Sequence, residues 1–386
     1  MDKKISVVLF NMSTYNEWQS GVVNRNRFIF EQLRNDPRID KIISIDYLPL
    51  TLKRSLKYFW LSTFGAAPGT GCNNDPLMPV FRKENVYYVS SFASYFSINK
   101  FLDKLNRFLQ QERIDNQILW TYLPTYTEYL DNISSKLSIF DTVDNWALHN
   151  SYATIKKKLQ INYKKISEKA DVIFTVAPDL EKLFPNHQDV HWIPNGVDFE
   201  HFQRSKEIPK ILKNIPRPII GYIGTIQSRV DLKLIQYLAE KNPQKSFVLI
   251  GPVWPDAQID IISNMKNVYM IDRIPYKISA DYISQFDVGI VPHQSDGFVK
   301  TMNPMKIYEY LACGKPIVAT AMFGFDALSE LIRITNSYEN FDRLINEEIA
   351  NDNSDKIIKR QQAAQRNSWQ SRYQKMWQVI NQKLDQ

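Results

Sequence analysis

Lys306 and Glu309 stand three residues apart in the segment Asn303-Pro304-Met305-Lys306-Ile307-Tyr308-Glu309-Tyr310-Leu311-Ala312-Cys313-Gly314. Asn303 suits a helix N-cap and Pro304 the first helical position. Gly314 suits the residue just past the helix end. On such a helix both side chains share a face one turn from its positive pole. A lysine there can hold a phosphate, and a carboxylate on the next turn can accept the two hydroxyls of a ribose. The plain alternative is an intrahelical ion pair worth about 0.2–0.5 kcal/mol. A second cationic place is Gly224-Thr225-Ile226-Gln227-Ser228-Arg229-Val230, with Lys233 just beyond. It reads as a tight glycine turn after an apolar run, then a helix start. Cations at a helix N-terminus oppose the macrodipole, and they become sensible if a diphosphate sits between them.

Carboxylates cluster in Asp141-Thr142-Val143-Asp144-Asn145-Trp146, just after the apolar run Leu137–Asp141. Two acids at a strand's carboxyl end must be solvated, paired or used. One could serve as a general base and the other could cap a helix. Near the start, the loop Asn11–Gly21 leads into a helical stretch from Val23, with Arg25 in its first turn. Gly21 permits close backbone approach there. No Gly-x-Gly-x-x-Gly follows a strand, no phosphate-loop signature is present, and no Asp-x-Asp occurs.

These residues need elements to hold them. Short apolar, β-branched runs recur at Ile5–Phe10, Ile42–Tyr47, Val86–Val89, Gln117–Thr121, Leu137–Asp141, Val172–Val176 and Val190–Ile193. They resume at Pro218–Ile223, Ser246–Ile250, Val268–Ile271, Val288–Val291 and Pro316–Ala319. Continuous rather than alternating runs mark parallel strands buried on both faces. Helical stretches lie between them, among them Val23–Leu33, Ile98–Gln111 and Leu232–Ala239. Strand–helix alternation twice over predicts two doubly wound α/β domains, joined after Pro194-Asn195-Gly196-Val197-Asp198. The 386-residue length fits two domains. Trp369, Tyr373, Trp377 and Ile380 fall on one face of a last helix that must dock on something, and could reach back to the first domain.

Composition narrows the partners. The net charge of +7 carries no basic tail, which disfavours nucleic acid and favours small anions or an anionic surface. Two cysteines exclude a disulfide scaffold and suit a reducing compartment. The first residues lack the apolar run of a leader, and no run is long enough to span a bilayer. A cytoplasmic protein is expected. Leu52–Phe64 is a basic amphipathic helix with Leu52, Leu56, Phe59, Trp60 and Phe64 on one face and Lys53, Arg54 and Lys57 beside it. It reads either as an interfacial contact at the inner face of the cell membrane or as a core helix with a solvated basic side. The Gly- and Pro-rich stretch Gly65–Pro79 after it reads as a loop.

At the segments quoted above the chain resembles the GT-B nucleotide-sugar glycosyltransferases. Pro304–Pro316 looks like their donor-site helix, Asn195-Gly196-Val197-Asp198 like the end of their first domain, and Gly221-Tyr222-Ile223-Gly224 like the opening of their second. The Ser368-Trp369 helix resembles the one that crosses back. The resemblance implies two Rossmann-like domains facing across a cleft. Residues 1–198, completed by 368–386, would fit the acceptor, and 199–367 would hold the donor. It implies Lys306 on the donor phosphate and Glu309 on the ribose, with Asn303 and Met305 beside them. Gly224, Thr225, Arg229 and Lys233 would line the phosphates. Asp272 and Arg273 would read the nucleobase, and His293 would lie where its loop approaches the donor. Many retaining members carry a glutamate eight residues before the second one; here that position is Thr301. The segment instead resembles the xanthan glucuronosyltransferase branch, which is inverting, and Asp144 is the match to its base.

The expected function is transfer of a sugar from a nucleoside diphosphate, uridine by default, to a hydroxyl of a lipid-linked or polysaccharide acceptor. Neither metal nor cofactor is expected, since the nucleotide sugar is a substrate. An epimerase of the same architecture and a non-catalytic nucleotide-sugar-binding subunit are the competing readings.

Overall fold

The computed structural model describes residues 4–64, 69–73, 75–204, 207–294, 297–321 and 324–385. The chain divides into two compact units, Met1–Ile193 with Tyr373–Gln386, and Pro194–Arg372.

The first unit is built on nine strands: β1 (Ile5–Phe10), β2 (Ile39–Ile45), β3 (Thr70–Gly71), β4 (Val80–Lys83), β5 (Val86–Val89), β6 (Gln117–Thr121), β7 (Leu137–Thr142), β8 (Val172–Thr175) and β9 (Val190–Trp192). Their order is β3-β4-β5-β2-β1-β6-β7-β8-β9. From β5 to β9 every pairing is parallel. The sequence reading missed β3 and β4, which add antiparallel pairs at one edge. β3 falls inside the stretch read as a loop, whose residues 65–68 and 74 lie outside the described ones. Continuous apolar runs are what a doubly covered strand needs, and Val7, Val8 and Leu9 of β1 are fully buried. The Ile98–Gln111 helix shows how the flanking layer is specified. Ser97 accepts the Lys100 N–H as its cap, and Phe101, Leu102, Leu105, Phe108 and Leu109 bury one face.

The last helix, Trp369–Leu384, buries Tyr373, Met376, Trp377 and Ile380 in this unit. The Tyr373 hydroxyl donates to Asp36 Oδ2 at 2.8 Å. The Arg38 guanidinium lies 4.2 Å from the Trp377 ring centre, and Lys383 pairs with Asp189 at 2.7 Å.

The second unit carries six parallel strands: β10 (Ile219–Ile223), β11 (Ser246–Ile250), β12 (Val268–Ile271), β13 (Val288–Val291), β14 (Ile317–Ala319) and β15 (Ile332–Ile334). Their order is β12-β11-β10-β13-β14-β15. Successive strands run outward one way from β10 and the other way from β13. The order therefore reverses between β10 and β13, and a doubly wound sheet binds ligands beyond the carboxyl ends of its strands at that place. The corresponding reversal in the first unit lies between β1 and β6. The 199–216 stretch is more than a linker. Asp198 caps a short helix, Phe199–Gln203, by accepting the His201 N–H. Gly196 is required by close approach, because a Cβ there would sit 2.9 Å from the Asn367 carbonyl oxygen.

Candidate functional site

The residues that follow β10 and β13 are zipped together. The Asp231 N–H donates to the Pro292 carbonyl at 2.7 Å and the Gln294 N–H to the Arg229 carbonyl at 2.8 Å. Val230 and His293 form an antiparallel bridge between those bonds. Arg229 and His293 are thus fixed side by side at the reversal of the strand order. Gln227 turns its amide oxygen to the Arg229 guanidinium, accepting from Nη2 at 2.8 Å and Nε at 2.9 Å. Arg229 Nη1 points at the Met302 sulfur, 3.7 Å away. Asp231 caps the Leu232–Lys241 helix by accepting the Leu234 N–H.

Lys306 enters the same place from the Met305–Ala312 helix. Its ammonium donates to the Tyr222 hydroxyl at 3.1 Å and lies 4.3 Å from that ring's centre. Gly224, at φ +140°, leaves it room: a Cβ there would stand 3.0 Å from Lys306 Nζ. Gly251, after β11, is needed in turn by Gly224, whose carbonyl oxygen would lie 2.2 Å from a Cβ at that position. Thr225 closes the turn by accepting the Tyr222 hydroxyl at 3.0 Å on its carbonyl. Among the described residues no carboxylate lies within ion-pairing distance of Lys306 or Arg229. Burial, reinforced by Arg229, lowers the Lys306 ammonium to about 7, while Glu309 opposes the shift. Burial raises the Glu309 carboxyl to about 7, and Lys306 pulls the other way. A lysine without a counter-ion beside a second cation is an arrangement that an anion completes.

Asn303 departs from the sequence reading. The helix begins at Met305 with Pro304 at the cap position and no side-chain cap. Asn303 is taken up by Asn195 instead. Its Oδ1 accepts the Asn195 N–H at 2.9 Å, and its carbonyl accepts Asn195 Nδ2 at 2.7 Å. The helix start therefore carries no side-chain cap among the described residues. Met305 sits half-buried in that first turn. Lys233 is exposed at the second position of its helix. Asp272 and Arg273 are exposed after β12, with Asp272 Oδ1 accepting the Arg273 N–H. Thr301 is buried and donates to the Phe298 carbonyl at 2.7 Å.

In the first unit Asp141 is corrected from candidate base to structural partner. It lies within β7, fully buried, with Arg25 Nε 2.9 Å from each carboxylate oxygen. Arg25 is also buried, and its Nη1 donates to the Ile193 carbonyl at 3.0 Å. Burial raises the Asp141 carboxyl and Arg25 holds it down. Arg25 lies in the first turn of the Arg25–Asn35 helix, as the sequence reading had it beside the N-terminal loop, and it serves there as a partner for Asp141. Gly21, at φ +92°, follows a short helix at Tyr15–Gln19 that the sequence read as loop. Asp144 stands half-buried two residues past β7, its carbonyl accepting the Tyr163 hydroxyl at 3.1 Å. Asn145, rather than Asp144, caps the short turn after it. Trp146, His149 and Tyr152 follow as a ring cluster with centres 5.5–5.8 Å apart. The Tyr152 hydroxyl meets that of Tyr47 at 3.5 Å. Sequence reasoning missed Asp46 at the carboxyl end of β2. It accepts the Tyr15 N–H at 3.0 Å, and burial pushes it up to about 7. Its position after an apolar run was the available signal.

Known proteins resemble the chain in two ways. Residues 217–358 match the family model described as glycosyl transferases group 1. A protein assigned to teichuronic acid biosynthesis, the glycosyltransferase TuaH of Bacillus subtilis (strain 168), is 27% identical over 217 residues, covering 52% of this chain. The chain spans about half of that relative's length, 55%. Solved structures match over nearly everything. The trehalose-6-phosphate synthase OtsA superposes with a TM-score of 0.70 at 13% identity, over 98% of this chain and 99% of its own. HepE of Anabaena, solved with UDP and glucose, gives 0.64 at 12% identity, over 98% and 99%. At such identities the structures speak for the fold. Residues 217–358 are thus similar to the group 1 glycosyl transferases, on a chain whose fold is the GT-B fold of those solved structures.

Proposed function

We propose that the protein is a glycosyltransferase moving a sugar from a nucleoside diphosphate to a hydroxyl of a lipid-linked or polysaccharide acceptor in cell-surface glycan synthesis. The observation that carries this reading is the pair Lys306 and Arg229, two cations without counter-ions among the described residues, beside a helix start with no side-chain cap at the strand-order reversal of the second unit. A diphosphate supplies the missing charge, and the same groups stabilise it as it leaves. Glu309 is suited to the ribose and Asp272 with Arg273 to the base. UDP is the favoured nucleotide because structural neighbours were solved with UDP-2-fluoro glucose and with UDP.

The first unit takes the acceptor, and Asp144 removes the proton as the hydroxyl attacks the anomeric carbon. Thr301, with its hydroxyl already committed to Phe298, supports an inverting reaction without a donor-side glutamate. Neither metal nor cofactor is required in this scheme. The protein works in the cytoplasm and touches the inner face of the membrane through 52–64. Leu52, Leu56 and Trp60 on that helix are 47%, 51% and 60% exposed, and Lys53, Arg54 and Lys57 are exposed too. No described helix is long and apolar enough to cross a membrane. The test is a calorimetric panel of nucleoside diphosphates, followed by sugar release and transfer from the corresponding donors. Binding of one diphosphate and consumption of its sugar ester is the expected result; no binding across the panel overturns the reading.

A further inference from the structure

His293 is the second residue past β13 and only 1% exposed, yet among the described residues neither ring nitrogen has a hydrogen-bond partner. The backbone on either side is fully committed. Its N–H lies 3.0 Å from Thr320 Oγ1, and the flanking bonds tie Pro292 to Asp231 and Gln294 to Arg229. The ring therefore cannot turn toward water by a local loop movement without breaking that zip. Two cations adjoin it, Lys306 and Arg229. Burial, then those two charges, hold the imidazole well below the usual histidine range, so it is neutral. A neutral imidazole has one N–H to give and one lone pair to offer.

Leaving both unmet is unfavourable in the empty protein, so the ligand must complete them. A diphosphate alone completes half. Its oxygens accept the N–H, but it brings no donor for the lone pair. A nucleotide sugar brings both, an anionic oxygen and, a few bonds away, sugar hydroxyls. We propose that His293 is a specificity residue for the donor, giving its N–H to a phosphate oxygen and accepting a hydrogen bond from a hydroxyl of the transferred sugar. This rests on the donor site proposed above and adds what that site distinguishes: the sugar ester from the bare diphosphate.

The measurement is the affinity of the full chain for UDP, ADP, GDP and dTDP and for the glucose ester of each. The protein is taken as wild type, His293→Leu and His293→Gln, with a thermal melt of each unliganded form. Wild type should bind at least one pair. His293→Leu should reduce the preference for the ester over its diphosphate by about tenfold, the scale of one unmet buried hydrogen-bond group. His293→Gln, which still offers a donor and an acceptor, should keep that preference within about threefold. The Leu variant should melt no lower than wild type, since it removes orphaned polar atoms from beside two cations. Equal loss for ester and diphosphate would confine the ring to the phosphates and overturn the proposal. A lower melt with unchanged binding would make His293 a packing residue and overturn it too. A wild type that binds no pair defeats the donor-site reading itself, and a wild type that binds with an indifferent Leu variant defeats only the role of His293.

Discussion

The two strand-order reversals of this molecule are furnished alike and finished differently. Beyond β1 the polar groups close on one another. Asn11 Nδ2 donates to Ser44 Oγ, Asn26 Nδ2 to Asn11 Oδ1, and the Met12 N–H to Asn26 Oδ1, all at 2.8–3.1 Å. Arg25 and Asp141 complete that layer as a buried ion pair. Beyond β10 and β13 the groups stay open. Among the described residues Lys306 donates only to a tyrosine hydroxyl, Arg229 to an amide and a thioether, and the His293 ring to nothing. A closed polar network fixes a local shape, whereas an open one stores affinity for whatever closes it. The first reversal is built as scaffold, and the second carries the anion site proposed above.

The sharpest way to break that contrast is to remove one cation from each. Arg25→Met leaves the Asp141 carboxylate buried without a partner, and should cost about 3–5 kcal/mol in denaturant unfolding. Adding Asp141→Leu to it should recover most of the loss, since a well-packed apolar pair can replace a buried ionic one. Lys306→Met should leave unfolding unchanged or raise it slightly. Equal destabilisation by Arg25→Met and Lys306→Met would erase the distinction between the two edges.

The same contrast decides what the sequence could tell. Of the strands expected, β1, β5, β6, β11, β12 and β13 fall on the residues predicted, because a short continuous apolar run between turn residues suits a strand, even at β12 where it is only partly buried. β3, β4 and β15 were lost because they are only two to four residues long and their pairing is set by tertiary contact. In the second unit the site is local: Lys306 and Glu309 share a helix turn, and Gly224 and Arg229 share a loop, so spacing carries the information. His293 and Arg229 meet only through the zip between two loops, which no spacing encodes. In the first unit the Arg25–Asp141 pair joins residues 116 apart, so Asp141 looked available when it was spent. Asn303 was read as a cap for the same reason, its partner Asn195 lying 108 residues away.

Asp144, two residues past β7, is the proposed base, and its replacement tests whether the first unit does chemistry at all. Asp144→Asn should fold, bind the donor normally and lose about 10²-fold or more in turnover, the usual share of a general base. Asp46→Asn is the control, since Asp46 is spent on the Tyr15 N–H. Turnover that survives Asp144→Asn and collapses with Asp46→Asn would move the base from β7 to β2.

The open site predicts its own pH profile. A phosphate favours the charged form of Lys306, so binding raises its pKa above about 7 and affinity falls as pH climbs through that value. Ribose hydroxyls favour ionised Glu309, so binding lowers its pKa below about 7 and affinity falls as pH drops through it. Affinity for a nucleotide sugar should therefore peak near neutrality, with limbs approaching tenfold per pH unit. Lys306→Ala should flatten the alkaline limb and weaken binding by about 1.5–3 kcal/mol, and Glu309→Gln should flatten the acid limb. A profile flat from pH 6 to 9 in the wild type would mean that neither group meets the ligand.

The smallest effect concerns the outer surface of the first unit. The 52–64 helix turns Ser55 and Phe59 inward, with Ser55 Oγ donating to the Phe92 carbonyl and the Phe59 ring 4.6 Å from that of Phe92. Arg54 leans over Tyr47, whose hydroxyl reaches Tyr152 in the cluster after Asp144. The helix is seated on Phe92 by one face, while Leu52, Leu56 and Trp60 keep 47%, 51% and 60% of their surface exposed. Each of its three cations should contribute about 1 kcal/mol at an anionic surface, enough for loose, reversible binding that salt screens. The protein should co-sediment with phosphatidylglycerol vesicles at low salt and leave them at high salt. Replacing Lys53, Arg54 and Lys57 with Glu should abolish this and spare donor affinity, because the open site lies in the other unit. Wild-type protein that ignores such vesicles would leave the apolar stripe without a lipid partner, and a soluble polysaccharide would become the better acceptor.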